Sequence, residues 1–417
     1  IAAQLLAYPR VFFLVAAVLT LLAAVPGLPG IPFVALAMIV TGVGYVLQKT
    51  AKSAEETAVT KQEEKEREEV RKPESIVSLL QVDPIELEIG YSLIPLVDVA
   101  QGGNLLDRVV MIRRQCALEM GIVVPTIRIR DNIQLKPNAY VIKIKGIEVA
   151  RGELLLDHFL AMNPGTVTEE IPGEETVEPA FGLPAIWINE SFRERAELCG
   201  YTVVDPISVL ATHLTEIVKG HADELLGRQD VQTLIDSVKQ DHPAVVSELV
   251  PAMMSLGEIQ KVLVCLLRER VPVRDLVTIL ETLADYASFA KDPEVLAEYV
   301  RRALARNITR QYIQNNVLTC LTLDPQTENQ IVSAVQHSDR GSFVSLDPNT
   351  MQQFINSLSK EVQKLSSAGY HPILLTSPAS RLYVRKLTER IAPNLVILSF
   401  AELENQVEIQ SLGMVKV

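Results

Sequence analysis

Two unbroken apolar runs dominate the start of the chain, over residues 11–25 and 31–47, separated by the punctuation of Pro26, Gly27, Pro29, Gly30 and Pro32. Neither carries a charge, and a helix needs roughly 17 to 20 apolar residues to cross about 30 Å of hydrocarbon. The flanking cations Arg10, Lys49 and Lys52 all lie on the outer ends, so the pattern predicts a transmembrane helical hairpin over residues 1–50 with both ends in the cytoplasm. Residues 51–72 then turn almost wholly polar, with Glu63 and Arg67, and Glu68 and Lys72, at the i,i+4 spacing of a solvated helix. A short apolar patch, Ile76, Val77, Leu79 and Leu80, closes this charged linker (51–83) and calls for a partner surface, here self-association.

Beyond residue 84 the pattern becomes globular. Alternation over 85–89 reads as a strand, 3.6-residue periodicity over 105–120 as a helix stopped by Gly121, and 126–130 and 139–144 as further strands. Residues 157–205, rich in Pro and Gly, read as a small inserted domain with strands near 185–188 and 202–204. Asp205-Pro206 and Asp292-Pro293 each pair an N-cap with a first-turn proline, and apolar stripes such as Leu210, Leu214 and Val218 or Ile259, Val262, Leu263 and Leu266 mark buried helix faces. The last hundred residues return to α/β, with strands over 372–376 and 394–400 joined by a helix over 381–391.

Composition sharpens this reading by exclusion. Of 417 residues, 48% are hydrophobic and 22% charged, enough for several cores. The net charge of -12 would repel a phosphate backbone, so nucleic acid is not an expected partner. Cys116, Cys199, Cys265 and Cys320 are far apart and without zinc spacing, and the six histidines are dispersed. There is no phosphate loop, nucleophile elbow, HExxH or dinucleotide fingerprint, so neither an enzyme nor a cofactor is expected. The Ser377-Pro378-Ala379-Ser380 loop sits where open α/β sheets bind ligands, but it holds no acid, base or metal ligand. One segment does stand out: around Glu178, Pro179, Ala180, Phe181 and Gly182, an aromatic ring sits in a Pro/Gly turn. Such a ring is either a local core plug or an anchor for a protein partner.

The runs Arg130-Asp131-Asn132 with Leu135, Pro137 and Tyr140, Pro179 to Leu183 leading into Ala185-Ile186-Trp187-Ile188, Gly200 to Asp205 with Ala211-Thr212-His213-Leu214, and Val271 to Leu276 closely resemble the FlhA family of export-gate subunits. The resemblance implies the last two spans of a multi-pass protein of the bacterial inner membrane, followed by four cytoplasmic subdomains. These would be an α+β unit (84–156 completed by 206–225), the insertion (157–205), an all-helical unit (226–305) and a thioredoxin-like α/β unit (306–404), with a C-terminal tail over 405–417. It implies a nonameric homo-oligomeric ring that docks flagellar export chaperones with filament-type cargo and works with export ATPase components and other gate subunits. Docking would fall in a dimple between the second and third subdomains, at Phe181 with Thr212 and with Glu178 as a rim charge, flanked by Pro179 and Ala180. A virulence injectisome gate of the same architecture is the alternative.

Overall fold

The structure is a computed structural model that describes residues 82–165, 167–338 and 341–417, together with positions 16, 17, 20, 21, 31, 32, 34–42 and 45. The chain divides into two units, Ile1–Val82 and Asp83–Val417. In the first, the described positions from 16 to 45 are helical, and Thr20 and Thr41 each donate to the carbonyl four residues back, at 2.7 Å. No helix among the described residues is long and apolar enough to cross a membrane. The expected hairpin as a whole, and residues 51–81 with Ile76, Val77, Leu79 and Leu80, lie outside the described residues.

The second unit begins with β1 (Ile85–Ile89), whose alternation buries Ile85, Leu87 and Ile89 on one face. Glu86 and Glu88, on the other face, are paired by Arg130 and Lys143. Helix α1 (Leu105–Met120) follows, then β2 (Ile127–Asp131), β3 (Ala139–Ile144) and β4 (Ile147–Glu153), giving a mixed sheet of order β2-β1-β3-β4. Leu105, Val109, Ile112, Cys116 and Met120 recur at three- and four-residue spacing and form the buried stripe of α1. Gly121 ends that helix at φ +77°, and a Cβ there would lie 2.3 Å from the Arg274 backbone nitrogen, so only glycine fits. Val273 donates to the Met120 carbonyl at 2.8 Å across this close approach.

The insertion is a separate antiparallel sheet. It contains β5 (His158–Met162), β6 (Glu174–Val177), β7 (Pro184–Asn189), α2 (Arg193–Leu198) and β8 (Thr202–Val204), in strand order β6-β7-β5-β8 over a small core of Ala161, Ile171, Ile188 and Ala196. Helix α3 (Pro206–Gly220) then leaves the insertion and packs on α1, its N-terminus capped by Asp205, which accepts from Ser208 N–H at 3.1 Å.

The helical segment runs through α4 (Ala222–Leu225), α5 (Arg228–Asp241), α6 (Pro243–Leu249), α7 (Leu256–Arg268), α8 (Leu276–Tyr286), α9 (Pro293–Ala303) and α10 (Ala305–Thr309). Its expected apolar stripes are buried, with Ile259, Val262, Leu263 and Leu266 of α7 fully enclosed. An α/β unit closes the description: β9 (Val317–Leu323), α11 (Pro325–Ser333), the hairpin β10 (Val335–Ser338) and β11 (Gly341–Val344), α12 (Pro348–Ser367), β12 (Ile373–Thr376), α13 (Arg381–Thr388), β13 (Val396–Ser399) and β14 (Glu408–Val415). Its main sheet has order β13-β12-β9-β14 and is parallel throughout. This overturns the expected tail over 405–417. Residues 408–415 are an edge strand in register with β9 from Glu408↔Val317 to Val415↔Leu323, because pairing with β9 satisfies backbone groups that a free tail would leave to water.

A buried charge network joins these last two segments. Arg381, at the start of α13, is fully buried, with Nη1 2.7 Å from Glu269 Oε2 and Nε 2.6 Å from Glu298 Oε2. Arg301 of α9 grips Glu402 bidentately at 2.9 Å through Nε and Nη2. Burial alone would push the Glu269 carboxyl up, but the Arg301 and Arg381 guanidiniums outweigh it and hold it at about 2. At Glu298 the balance goes the other way: burial wins over the same arginines and raises its carboxyl.

Candidate functional site

Strands β6 and β7 pair up to Val177↔Pro184, leaving residues 178–183 as the turn between them. The turn is closed by two backbone bonds: Glu178 N–H donates to the Leu183 carbonyl at 2.8 Å and Gly182 N–H to the Glu178 carbonyl at 2.9 Å. Gly182 has φ +70°, a left-handed conformation that glycine alone adopts without steric cost. The Glu178 carboxylate points inward and spans the turn from within, accepting Ala180 N–H on Oε1 at 2.9 Å and Phe181 N–H on Oε2 at 2.7 Å. The backbone is thereby fixed so that the Phe181 ring is held outward, 61% exposed, between Val177 at 62% and Leu183 at 50%. Pro179 and Ala180 are half-buried shoulders of the same turn.

The structure corrects the role expected for Glu178. It is no rim charge, because only 3% of the residue is exposed and both carboxylate oxygens are engaged by the amides of the turn. Phe181 is presented to solvent and not plugged into the local core. Val177 and Leu183 were missed as companions of Phe181; their signal was two apolar residues bracketing a turn already marked by Pro and Gly.

Beneath the turn lies a polar pair absent from the sequence reading. Tyr140 of β3, fully buried, places Oη 2.7 Å from Nδ1 of His213 on α3, with the rings edge to face at 5.7 Å. A Cβ at Gly152 would fall 2.5 Å from the Tyr140 hydroxyl, so β4 must carry glycine where that phenol sits. Burial pushes the His213 pKa down, partly opposed by the Glu178 charge, and burial with the same charge pushes the Tyr140 phenol up. Glu178 therefore acts electrostatically on both rings while shaping the turn above.

Thr212 is exposed on α3 beside His213 and lines a groove of about 380 Å³ with Arg108, Met111, Ala211 and Thr215. This groove is built from α1 and α3, and Phe181 is not in its lining. The charge of Glu178, under the Phe181 turn, reaches His213, the neighbour of Thr212 on α3.

Among the described residues no group of three or more His, Cys, Asp or Glu is placed to hold a metal, and all four cysteines are free thiols. In the 377–380 loop the Ser377 and Ser380 hydroxyls lie 2.9 Å apart, and the Ser377 amide is taken by Glu328 at 2.8 Å.

The FHIPEP family model matches residues 1–408. The flagellar biosynthesis protein FlhA of Bacillus subtilis is 49% identical over 418 residues, covering 100% of this chain and 62% of the relative. Its counterpart in Borreliella burgdorferi is 41% identical over 408 residues, covering 98% and 58%. The chain thus spans about three fifths of the length of these curated relatives. Among solved structures, the CdsV protein of Chlamydia pneumoniae superposes with a TM-score of 0.73 at 27% identity, over 81% of this chain and 98% of that one. The same protein in complex with CdsO gives 0.72 at 27%, with the same coverage. Matched along almost its whole length by the family model and at up to 49% identity by its relatives, this chain belongs to the FHIPEP family.

Proposed function

We propose that the chain carries the docking module of a flagellar type III secretion export gate, which receives chaperone and cargo complexes and orders their export. Membership of the family and the flagellar names of its relatives support the setting. The observation that carries the docking role is the Phe181 ring, 61% exposed on a turn whose backbone is fixed by a buried carboxylate. A rigidly held aromatic with two apolar neighbours loses little entropy on binding and is the usual kind of anchor at protein interfaces.

On this reading the partners are flagellar export chaperones with filament-type cargo, export ATPase components, other gate subunits of the membrane, and further copies of the chain in a nonameric ring. The runs over 11–25 and 31–47 would be the last two spans of a multi-pass inner-membrane protein, and Ile76, Val77, Leu79 and Leu80 would tie neighbouring copies together. The four subdomains, with a thioredoxin-like unit over 306–404, complete the proposal.

The test is calorimetry of chaperone and cargo complexes on the full chain in detergent, with thermal unfolding of the same samples. Phe181→Ala should weaken binding by about 2 kcal/mol or more, roughly thirtyfold, while leaving the melting transition in place because the ring is mostly in water. Retained binding with a lowered transition would return Phe181 to the core and remove the site. Injectisome chaperones offered in parallel test the alternative gate.

A further inference from the structure

A second surface lies between the helical segment and the C-terminal α/β unit. It is a groove of about 990 Å³ walled by α7, the first turn of α9, β11 and α13. That volume is at the upper end of the roughly 300–1,000 Å³ usual for ligand sites. Its apolar floor is Val264, Cys265 and Tyr383, all half-buried. Around them stand four cationic side chains, Lys261, Arg268, Lys291 and Lys386, against two carboxylates, Asp292 and Glu294. In a chain of net charge -12 such a local reversal of sign selects among partners.

The cations are not equally committed. Lys386 pairs with Glu294, and Arg268 lies 3.4 Å from Asp223. Lys261 and Lys291 are exposed and make no ion pair among the described residues; their field reaches Glu258, whose carboxylate is already held by Ser255. The walls are also fixed from behind. Glu269 directly follows α7, Glu298 sits on α9 and Arg381 opens α13, so the buried charge network pins the same three helices that line the groove. A groove held open in this way has little reorganisation left to undergo on binding.

We propose that this groove captures an acidic, amphipathic peptide segment of a partner protein, with carboxylates on Lys261 and Lys291 and apolar side chains on Val264, Cys265 and Tyr383. A compact phosphate group fits less well, because Asp292 already occupies the α9 N-terminus, accepting Glu294 N–H at 2.9 Å. A polyphosphate chain would also meet the net negative charge of the molecule and leave the apolar floor unused. The site shares no residue with the Phe181 turn, so either can fail alone.

The experiment is fluorescence anisotropy on the full chain in detergent, with a labelled helical peptide of about twelve residues carrying Glu on one face and Leu on the other. A second peptide carries Gln for every Glu. Binding of the acidic peptide should fall by roughly tenfold or more in Lys261→Glu/Lys291→Glu, by a smaller factor in Lys261→Gln/Lys291→Gln, and by a similar factor on raising salt. The Gln peptide should bind at least about tenfold more weakly than the acidic one, while Lys360→Glu, an exposed lysine on α12, and Phe181→Ala should leave affinity within about twofold. Equal binding by wild type and both double variants, or by the two peptides, would overturn the proposal. So would tighter binding of a twelve-nucleotide single-stranded DNA, which would make the surface a polyanion site.

Discussion

Arg381→Met removes the guanidinium that holds Glu298 and Glu269 inside the protein, and keeps the volume of the aliphatic stem. With side chains only 21% and 16% exposed, Glu298 loses its arginine and Glu269 one of its two, where water cannot fully replace them. Breaking a buried ion pair from one side costs about 3–5 kcal/mol. Glu298, whose carboxyl is already raised by burial, can take up a proton and relieve part of this, so the lower figure of about 3 kcal/mol is expected. For a unit as long as Asp83–Val417, 1 kcal/mol moves the midpoint by about 1.4 °C, so the variant should melt roughly 4 °C lower by circular dichroism. Arg381→Met/Glu269→Gln/Glu298→Gln should recover more than half of that, since its groups carry no orphaned charge. Acid adds a second readout. Glu269 titrates at about 2 when folded against 4.5 for the free group, so its contribution is complete above pH 4.5 and is lost as pH falls towards 2. Arg381→Met should flatten this acid limb. A midpoint within about 2 °C of wild type, or a triple variant no more stable than the single, would refute the reasoning.

Glu178→Ala should release the Ala180 and Phe181 amides to rapid hydrogen exchange and lower docking affinity although the Phe181 ring remains; unchanged protection would show that the carboxylate does not hold the turn. Burial lowers the His213 pKa below 6.5, so the folded form is favoured above that pH and loses stability as pH falls below it. The urea midpoint should therefore drop between pH 7.5 and 5.5, and His213→Gln should abolish the slope. Topology reporters fused at Gly30 and at Lys52 should report opposite sides of the membrane, and the same side for both would sink the proposed hairpin.

What could be read from the sequence was set by distance along the chain. The stripe from Leu105 to Met120 and the caps at Asp205 and Asp292 involve neighbours within four residues, and all appear where periodicity and cap chemistry put them. The Phe181 turn was legible as a turn, but an acid beside a proline reads as solvated, and nothing local says that Glu178 folds back under two amides. The Tyr140 and His213 contact spans 73 residues, and the ion network joins Glu269 to Glu402 through α9 and α13. Such pairings follow from tertiary packing, and composition carries no trace of them. Strand β14 escaped for a related reason. Ile409, Leu412 and Met414 break the two-residue alternation where the register shifts between Ser411 and Gly413, so the segment reads as irregular.

That strand also has a consequence for how the molecule is made. Strand β9 is flanked by β12 on one side and β14 on the other, yet β14 leaves the ribosome about ninety residues after β9. Throughout that interval the nascent sheet presents the apolar strand Val317–Leu323 with one row of amides and carbonyls open to any extended polypeptide nearby. The last eight-residue strand is thus a late closure. A message cut short before residue 408 would yield a protein with its upstream cores in place and a persistently adhesive edge.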